Sequence, residues 1–190
     1  GLDSNYLHGR LDLQVDVEGA RDCQIATALY GADDTASEPL FRHVHEIGTR
    51  QVDEKGAYVD RTHISIPVTE PQPWSAECPN LYRLTVSLLD VDGHIIESEA
   101  CDVGFRTVEI IRGQLCVNGQ PVLIRGVNKH EHDPRTGHYE SLESVAEDLR
   151  LMKQNNFNAV RCSHYPHQTG FYWLCDRLGF YVVDLSLIHI

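Results

Sequence analysis

Nowhere in these 190 residues do about eighteen apolar residues run together, so no segment reads as a membrane-spanning helix. Basic side chains are scarce too: 16 Lys and Arg stand against 28 Asp and Glu, a net charge of -12. An acidic surface repels nucleic acid phosphates and anionic lipid, so neither a nucleic acid nor a membrane is expected as a partner. Cys-x-x-Cys pairs are missing, and Cys23, Cys78, Cys101, Cys116, Cys162 and Cys175 are irregularly spaced. A chain of this length and ordinary apolar share needs no staples. The cysteines therefore read as buried thiols of a reducing compartment, and a cytoplasmic location is expected. Internal repeats and low-complexity stretches are also absent. The chain opens at Gly1 rather than Met, so the natural N-terminus is expected to lie upstream, and the question of a secretory leader stays open.

What is present divides near Arg106. Residues 1–109 carry 20 acidic and 8 basic side chains, and residues 110–190 carry 8 of each, so the first part holds the whole net charge. Before Arg106 the apolar pattern has period two. Leu11, Leu13, Val15 and Val17 alternate with polar residues, as do Ile64, Ile66 and Val68, and then Tyr82, Leu84, Val86 and Leu88. Asp92-Gly93 marks a hairpin turn into Ile95-Ile96. Short alternating strands over about 100 residues predict an antiparallel β-sandwich of immunoglobulin type across residues 1–105. Pro71, Pro73 and Pro79 bracket Trp74, which reads as the plug of a corner between strands.

After Arg106 the pattern changes. Asn118-Gly119 predicts a small hairpin, and Val122 to Val127 reads as a near-continuous apolar strand of a buried parallel sheet. Leu142, Val145, Leu149 and Met152 form one stripe of a helix, with Glu140 and Glu143 near its start and Lys153 near its end, as the helix dipole favours. Phe157 to Cys162 is the next strand, Phe171 to Leu178 the next helix, and Phe180 to Val183 a third strand. The order β-α-β-α-β implies parallel strands with right-handed crossovers. By itself it fits a barrel or a doubly wound sheet.

Two stretches put polar side chains at the C-terminal tips of these strands. One is Arg125-Gly126-Val127-Asn128-Lys129-His130-Glu131-His132, and the other is Asn158-Ala159-Val160-Arg161-Cys162-Ser163-His164-Tyr165-Pro166. With Phe171-Tyr172, Asp176, Gly179 and the apolar run before Asp184, they resemble the signature of the family 2 glycoside hydrolases. Met152 to Phe157 and Trp74-Ser75-Ala76-Glu77 resemble the large bacterial β-galactosidases within that family. The resemblance is dense from Trp74 to Asp184 and faint before it.

The resemblance implies a (β/α)8 TIM barrel after the sandwich. Such a barrel takes roughly 250 residues, so residues 106–184 are expected to be its first three βα units and the chain a fragment. It implies a retaining enzyme that cleaves terminal β-D-galactosyl bonds with two glutamates roughly 5–5.5 Å apart. Both glutamates are expected beyond the C-terminus, and Glu131 is neither of them. His130 and His164 match family histidines that bind sugar hydroxyls and favour the transition state. Arg161 matches an arginine that lies against the nucleophilic carboxylate, where it would lower that group's pKa. Magnesium, with sodium possible beside it, is implied for the complete enzyme, through ligands that follow Asp184, and so is a homo-oligomer, a tetramer. After Asp184 the pattern breaks into Leu185-Ser186-Leu187-Ile188-His189-Ile190, and residues 185–190 are expected to be a non-native tail. Lys129 in place of an expected Arg, with Asp133 and His167 in loops, are smaller departures.

Three other readings stay open. A β-glucuronidase of the same family shares the Arg-x-Ser-His-Tyr-Pro stretch. A zinc-dependent amidohydrolase barrel could use His130 and His132, with His138, His164 and His167 as further ligands. A non-catalytic sugar-binding sandwich would need residues 1–105 alone.

Overall fold

A computed structural model describes residues 1–19, 22–31, 38–52, 55–56 and 58–185. It contains two compact units, Gly1–Gln72 with Leu81–Phe105, and Pro73–Asn80 with Arg106–Ile190. Residues 186–190 of the expected tail lie outside the described residues.

The first unit is built from β1 (His8–Val17), β2 (Gln24–Tyr30), β3 (Phe41–Glu46), β4 (Thr49–Val52), β5 (Tyr58–Thr69), β6 (Tyr82–Leu89) and β7 (Ile95–Val103). They pair antiparallel as two sheets, β1-β5-β4 and β3-β2-β6-β7. Alternation turns one face of each sheet inward. Leu11, Ile64, Ile66 and Val68 from one sheet meet Ile25, Leu29, Tyr82 and Leu84 from the other, with Phe105 among them. Each such side chain contributes about 1.5–3 kcal/mol on burial. The ring of Tyr82 stands edge-on to Phe105 at 5.3 Å, and its hydroxyl accepts from the Gln72 N–H at 2.7 Å. Gly9 leaves room for that aromatic pair, since a Cβ there would lie 2.8 Å from the Phe105 ring. The turn predicted at Asp92-Gly93 is present: Gly93 has φ +82° and donates to the Asp90 carbonyl at 3.1 Å.

The second unit opens with a meander of β8 (Val108–Ile111), β9 (Gln114–Val117) and β10 (Gln120–Pro121). Asn118 and Gly119 turn β9 into β10 with φ of 51° and 75°. Then come β11 (Gly126–Lys129), α1 (Leu142–Gln154), β12 (Ala159–Cys162), α2 (Thr169–Leu178) and β13 (Tyr181–Val183), with the strands parallel in the order β11-β12-β13. Val145, Leu149, Val160, Cys162, Phe171, Cys175 and Phe180 form the core between helices and sheet. Ser141 caps α1 by accepting from the Ser144 N–H at 3.2 Å, with Glu143 in the first turn and Lys153 in the last. Trp74 belongs to this unit. It is 2% exposed, donates its indole N–H to the Asp176 carbonyl at 2.9 Å, and lies under the Arg106 guanidinium at 4.7 Å.

One expected strand is shorter than its apolar run. Only Gly126–Lys129 pairs with β12, while Leu123 and Ile124 are 68% and 44% exposed. The Asn158 side chain explains the late start. It donates to the Leu123 carbonyl at 3.0 Å and accepts from the Arg125 N–H at 2.8 Å. Those backbone groups are thereby satisfied without a ladder.

Candidate active site

The parallel register fixes the site. Asn128 on β11 stands opposite Arg161 on β12, and Lys129 stands opposite Cys162. Each chain then leaves its strand through a histidine, His130 after β11 and His164 two residues after β12. The two imidazoles are exposed and lie edge to face, with ring centroids 5.7 Å apart. Arg161 is partly exposed and donates from Nη1 to the Asn128 side-chain oxygen at 3.1 Å. All three residues singled out in the sequence therefore occupy the C-terminal end of one parallel sheet, the end that carries chemistry in α/β folds.

Beneath the histidines the site is held by charge. Lys129, 6% exposed, donates from Nζ to Glu140 at 2.7 Å and to Asp148 at 3.0 Å. Burial works against its charge, but the two hydrogen bonds outweigh it, and the pKa is raised above the ordinary lysine value. Glu140, expected to serve the α1 dipole, is instead the buried partner of Lys129, because it precedes the Ser141 cap and turns inward.

A second network joins the next two strand ends. Tyr172 on α2 donates its hydroxyl hydrogen to Asp184 at 3.0 Å and accepts from the His167 N–H at 2.9 Å. Burial, with Asp184 beside it, pushes the Tyr172 phenol up to about 12. Burial likewise raises the Cys162 thiol to about 11, with Asp184 adding to the effect. His167 is buried against the Phe171 ring at 4.8 Å, and burial holds its imidazole below the usual value. Asn128, Glu131, Tyr172 and Asp184 are site neighbours that lie within the motifs carrying the resemblance, but the sequence assigns them no role.

The zinc arrangement does not form. His132 pairs with His138 at 5.3 Å in the loop, while His167 is buried against the Phe171 ring. Among the described residues, the single cluster of three donors spaced for a metal is Asp90, Asp92 and His94 in the exposed β6–β7 turn. There Asp90 already accepts from the backbone N–H groups of Asp92 and His94. Among the described residues no other group of three His, Cys, Asp or Glu side chains is spaced for a metal ion. No disulfide joins the six cysteines; Cys116, Cys162 and Cys175 are buried, but Cys78 and Cys101 are exposed and Cys23 is partly so, against the expectation that all six are buried. No helix among the described residues is long and apolar enough to cross a membrane.

Family models match almost the whole chain. One described as glycosyl hydrolases family 2 covers residues 2–106, and one described as the TIM barrel domain of the same family covers residues 108–188.

The chain belongs to glycosyl hydrolase family 2.

Its sandwich and its three parallel strands are thus the family's sandwich and the start of its TIM barrel. The β-galactosidase of Aeromonas hydrophila is 51% identical over 183 residues, 96% of this chain and 18% of that protein. The β-galactosidase of Yersinia enterocolitica is 59% identical over 138 residues, 73% of this chain and 13% of that protein. Among solved structures, a Bifidobacterium dentium β-glucuronidase complexed with coumarin-3-O-glucuronide superposes with a TM-score of 0.78 at 24% identity, over 98% of this chain and 28% of that one. A Parabacteroides merdae β-glucuronidase gives 0.79 at 23% identity, over 95% and 22%. These structures share the fold. The chain spans less than a fifth of the length of the curated relatives it matches.

Proposed function

We propose that this chain is part of a retaining β-galactosidase that hydrolyses terminal β-D-galactosyl bonds, and that residues 106–184 supply the first βα units of its barrel. The observation that carries the sugar assignment is the 51% identity to a β-galactosidase along 96% of the chain. In this reading His130 and His164 bind sugar hydroxyls. Their edge-to-face pairing leaves both rings exposed beside each other at the strand ends. An imidazole offers one directional donor and one acceptor, and hydroxyl contacts that tighten in the transition state add several kcal/mol in this class of reaction. Arg161 keeps the nucleophilic carboxylate ionised, since a guanidinium within reach lowers a carboxylate pKa. Asn128 accepts from that guanidinium and tethers it to the neighbouring strand.

The two catalytic carboxylates come from elsewhere in the complete enzyme. Glu140 is engaged by Lys129, and Glu131 accepts from a backbone N–H, so both are committed to structure. Retention then follows from a covalent glycosyl intermediate formed by one carboxylate and released by water that the other activates.

The test is turnover by the complete enzyme containing this chain. An aryl β-galactoside should be cleaved, with the β-anomer as first product by NMR. Turnover of the aryl β-glucuronide with none of the galactoside would replace the substrate, and first release of the α-anomer would remove the mechanism.

A further inference from the structure

The two histidine-bearing strand ends are joined by one residue that neither motif explains. Glu131 follows His130 and is partly buried. Its backbone N–H donates to the Tyr165 hydroxyl at 3.3 Å, one residue beyond His164. Its carboxylate Oε1 accepts from the Gln168 N–H at 2.6 Å. Gln168 is the N-cap of α2, and its own side chain caps nothing in that helix. That side chain instead donates from Nε2 to the Glu140 carbonyl at 3.0 Å, next to the α1 cap. The segment from His164 to Gln168 is thus held at both ends by the chain that leaves β11. The Tyr165 ring also lies 6.5 Å from that of His130.

We propose that Glu131 is a positioning residue that sets the spacing of His130 and His164 by tying the β11 exit to the loop between β12 and α2. This rests on the reading of both histidines as sugar-binding groups. Glu131 acts here through one acceptor oxygen, not through proton transfer. The Ser163 N–H already donates to the Lys129 carbonyl at 2.9 Å just before the two histidines, and Glu131 adds a tie just beyond them; a misplacement of about 1 Å in a positioned group costs roughly a hundredfold in rate.

The experiment compares Glu131→Gln, Glu131→Ala, His164→Phe and the double variant Glu131→Ala/His164→Phe in the complete enzyme, with thermal melts recorded alongside. Glu131→Gln keeps the acceptor oxygen and should stay within roughly threefold of wild type. Glu131→Ala should lower kcat roughly tenfold to a hundredfold, with KM little changed. In the His164→Phe background the same alanine change should cost much less, because the group it positions is gone. Equal loss in Glu131→Gln and Glu131→Ala would make the charge itself the active feature and overturn the proposal. So would a wild-type kcat in Glu131→Ala, or losses that multiply fully in the double variant. A full-rate His164→Phe enzyme would instead remove the underlying reading of the histidines, and wild-type turnover on neither galactoside nor glucuronide would remove the proposed function itself.

Discussion

Lys129 Nζ lies 2.7 Å from Glu140 Oε1, with the two side chains 6% and 1% exposed. The lysine occupies the last position of β11, and the glutamate sits just before the cap of α1. This ion pair is what fastens the strand carrying His130 to the helix that follows it.

Removing one partner leaves the other charge buried alone. Lys129→Met should therefore destabilise the second unit by about 3–5 kcal/mol, read as a fall in its urea midpoint. Adding Glu140→Gln should recover much of the loss. The folded-state pKa of Lys129 lies above its unfolded value, so its contribution is complete below the unfolded pKa of about 10.4. It fades as pH rises through the folded value. Wild-type stability should thus fall above about pH 10 more steeply than that of the double variant. Parallel falls would show that the pair contributes nothing at neutral pH.

His164→Phe in the complete enzyme should lower kcat/KM at least roughly tenfold, equivalent to about 1.4 kcal/mol of transition-state stabilisation. Transition-state analogues should weaken more than substrate. Equal weakening of both would reduce His164 to uniform binding.

Trp74→Ala should cost about 3–5 kcal/mol in denaturant, because it removes a ring that Arg106, Tyr181 and the Asp176 carbonyl surround. Trp74→Phe should cost less, keeping the apolar ring but stranding the Asp176 carbonyl. A change under about 0.5 kcal/mol in Trp74→Ala would place the indole outside the folding core.

The 190-residue chain by itself should not hydrolyse an aryl β-galactoside, since Glu131 and Glu140 are both tied into structural bonds. Measurable turnover would overturn the placing of both catalytic carboxylates outside this chain.

Much of this was legible in the sequence wherever a sheet has one wet face. β1, β5 and β6 announce themselves because Leu11, Ile64, Ile66, Val68 and Leu84 alternate with solvated neighbours. β2 does not, because it lies between β3 and β6 and buries every residue from Ile25 to Leu29, Thr27 included. β3 and β4 are edge strands whose side chains are mostly solvated, so no apolar period marks them. The Val122–Val127 run misleads for another reason. Its apolar side chains promise a strand, but the Asn158 amide has taken the backbone groups that a neighbour would need. At the site, His130, His164 and Arg161 follow from motif and register. The Glu131 brace does not, because its acceptor meets a backbone N–H 37 residues away, and a backbone group leaves no mark in a sequence.

The buried thiols have a practical side. Burial keeps Cys162 and Cys175 protonated at neutral pH, Cys162 with a pKa of about 11, so an alkylating reagent finds no thiolate and no path to either. Cys78 in the same unit is exposed and marks total reagent access. Timed alkylation read by mass spectrometry would therefore clock each spontaneous opening of the helical layer, using two atoms the molecule already carries.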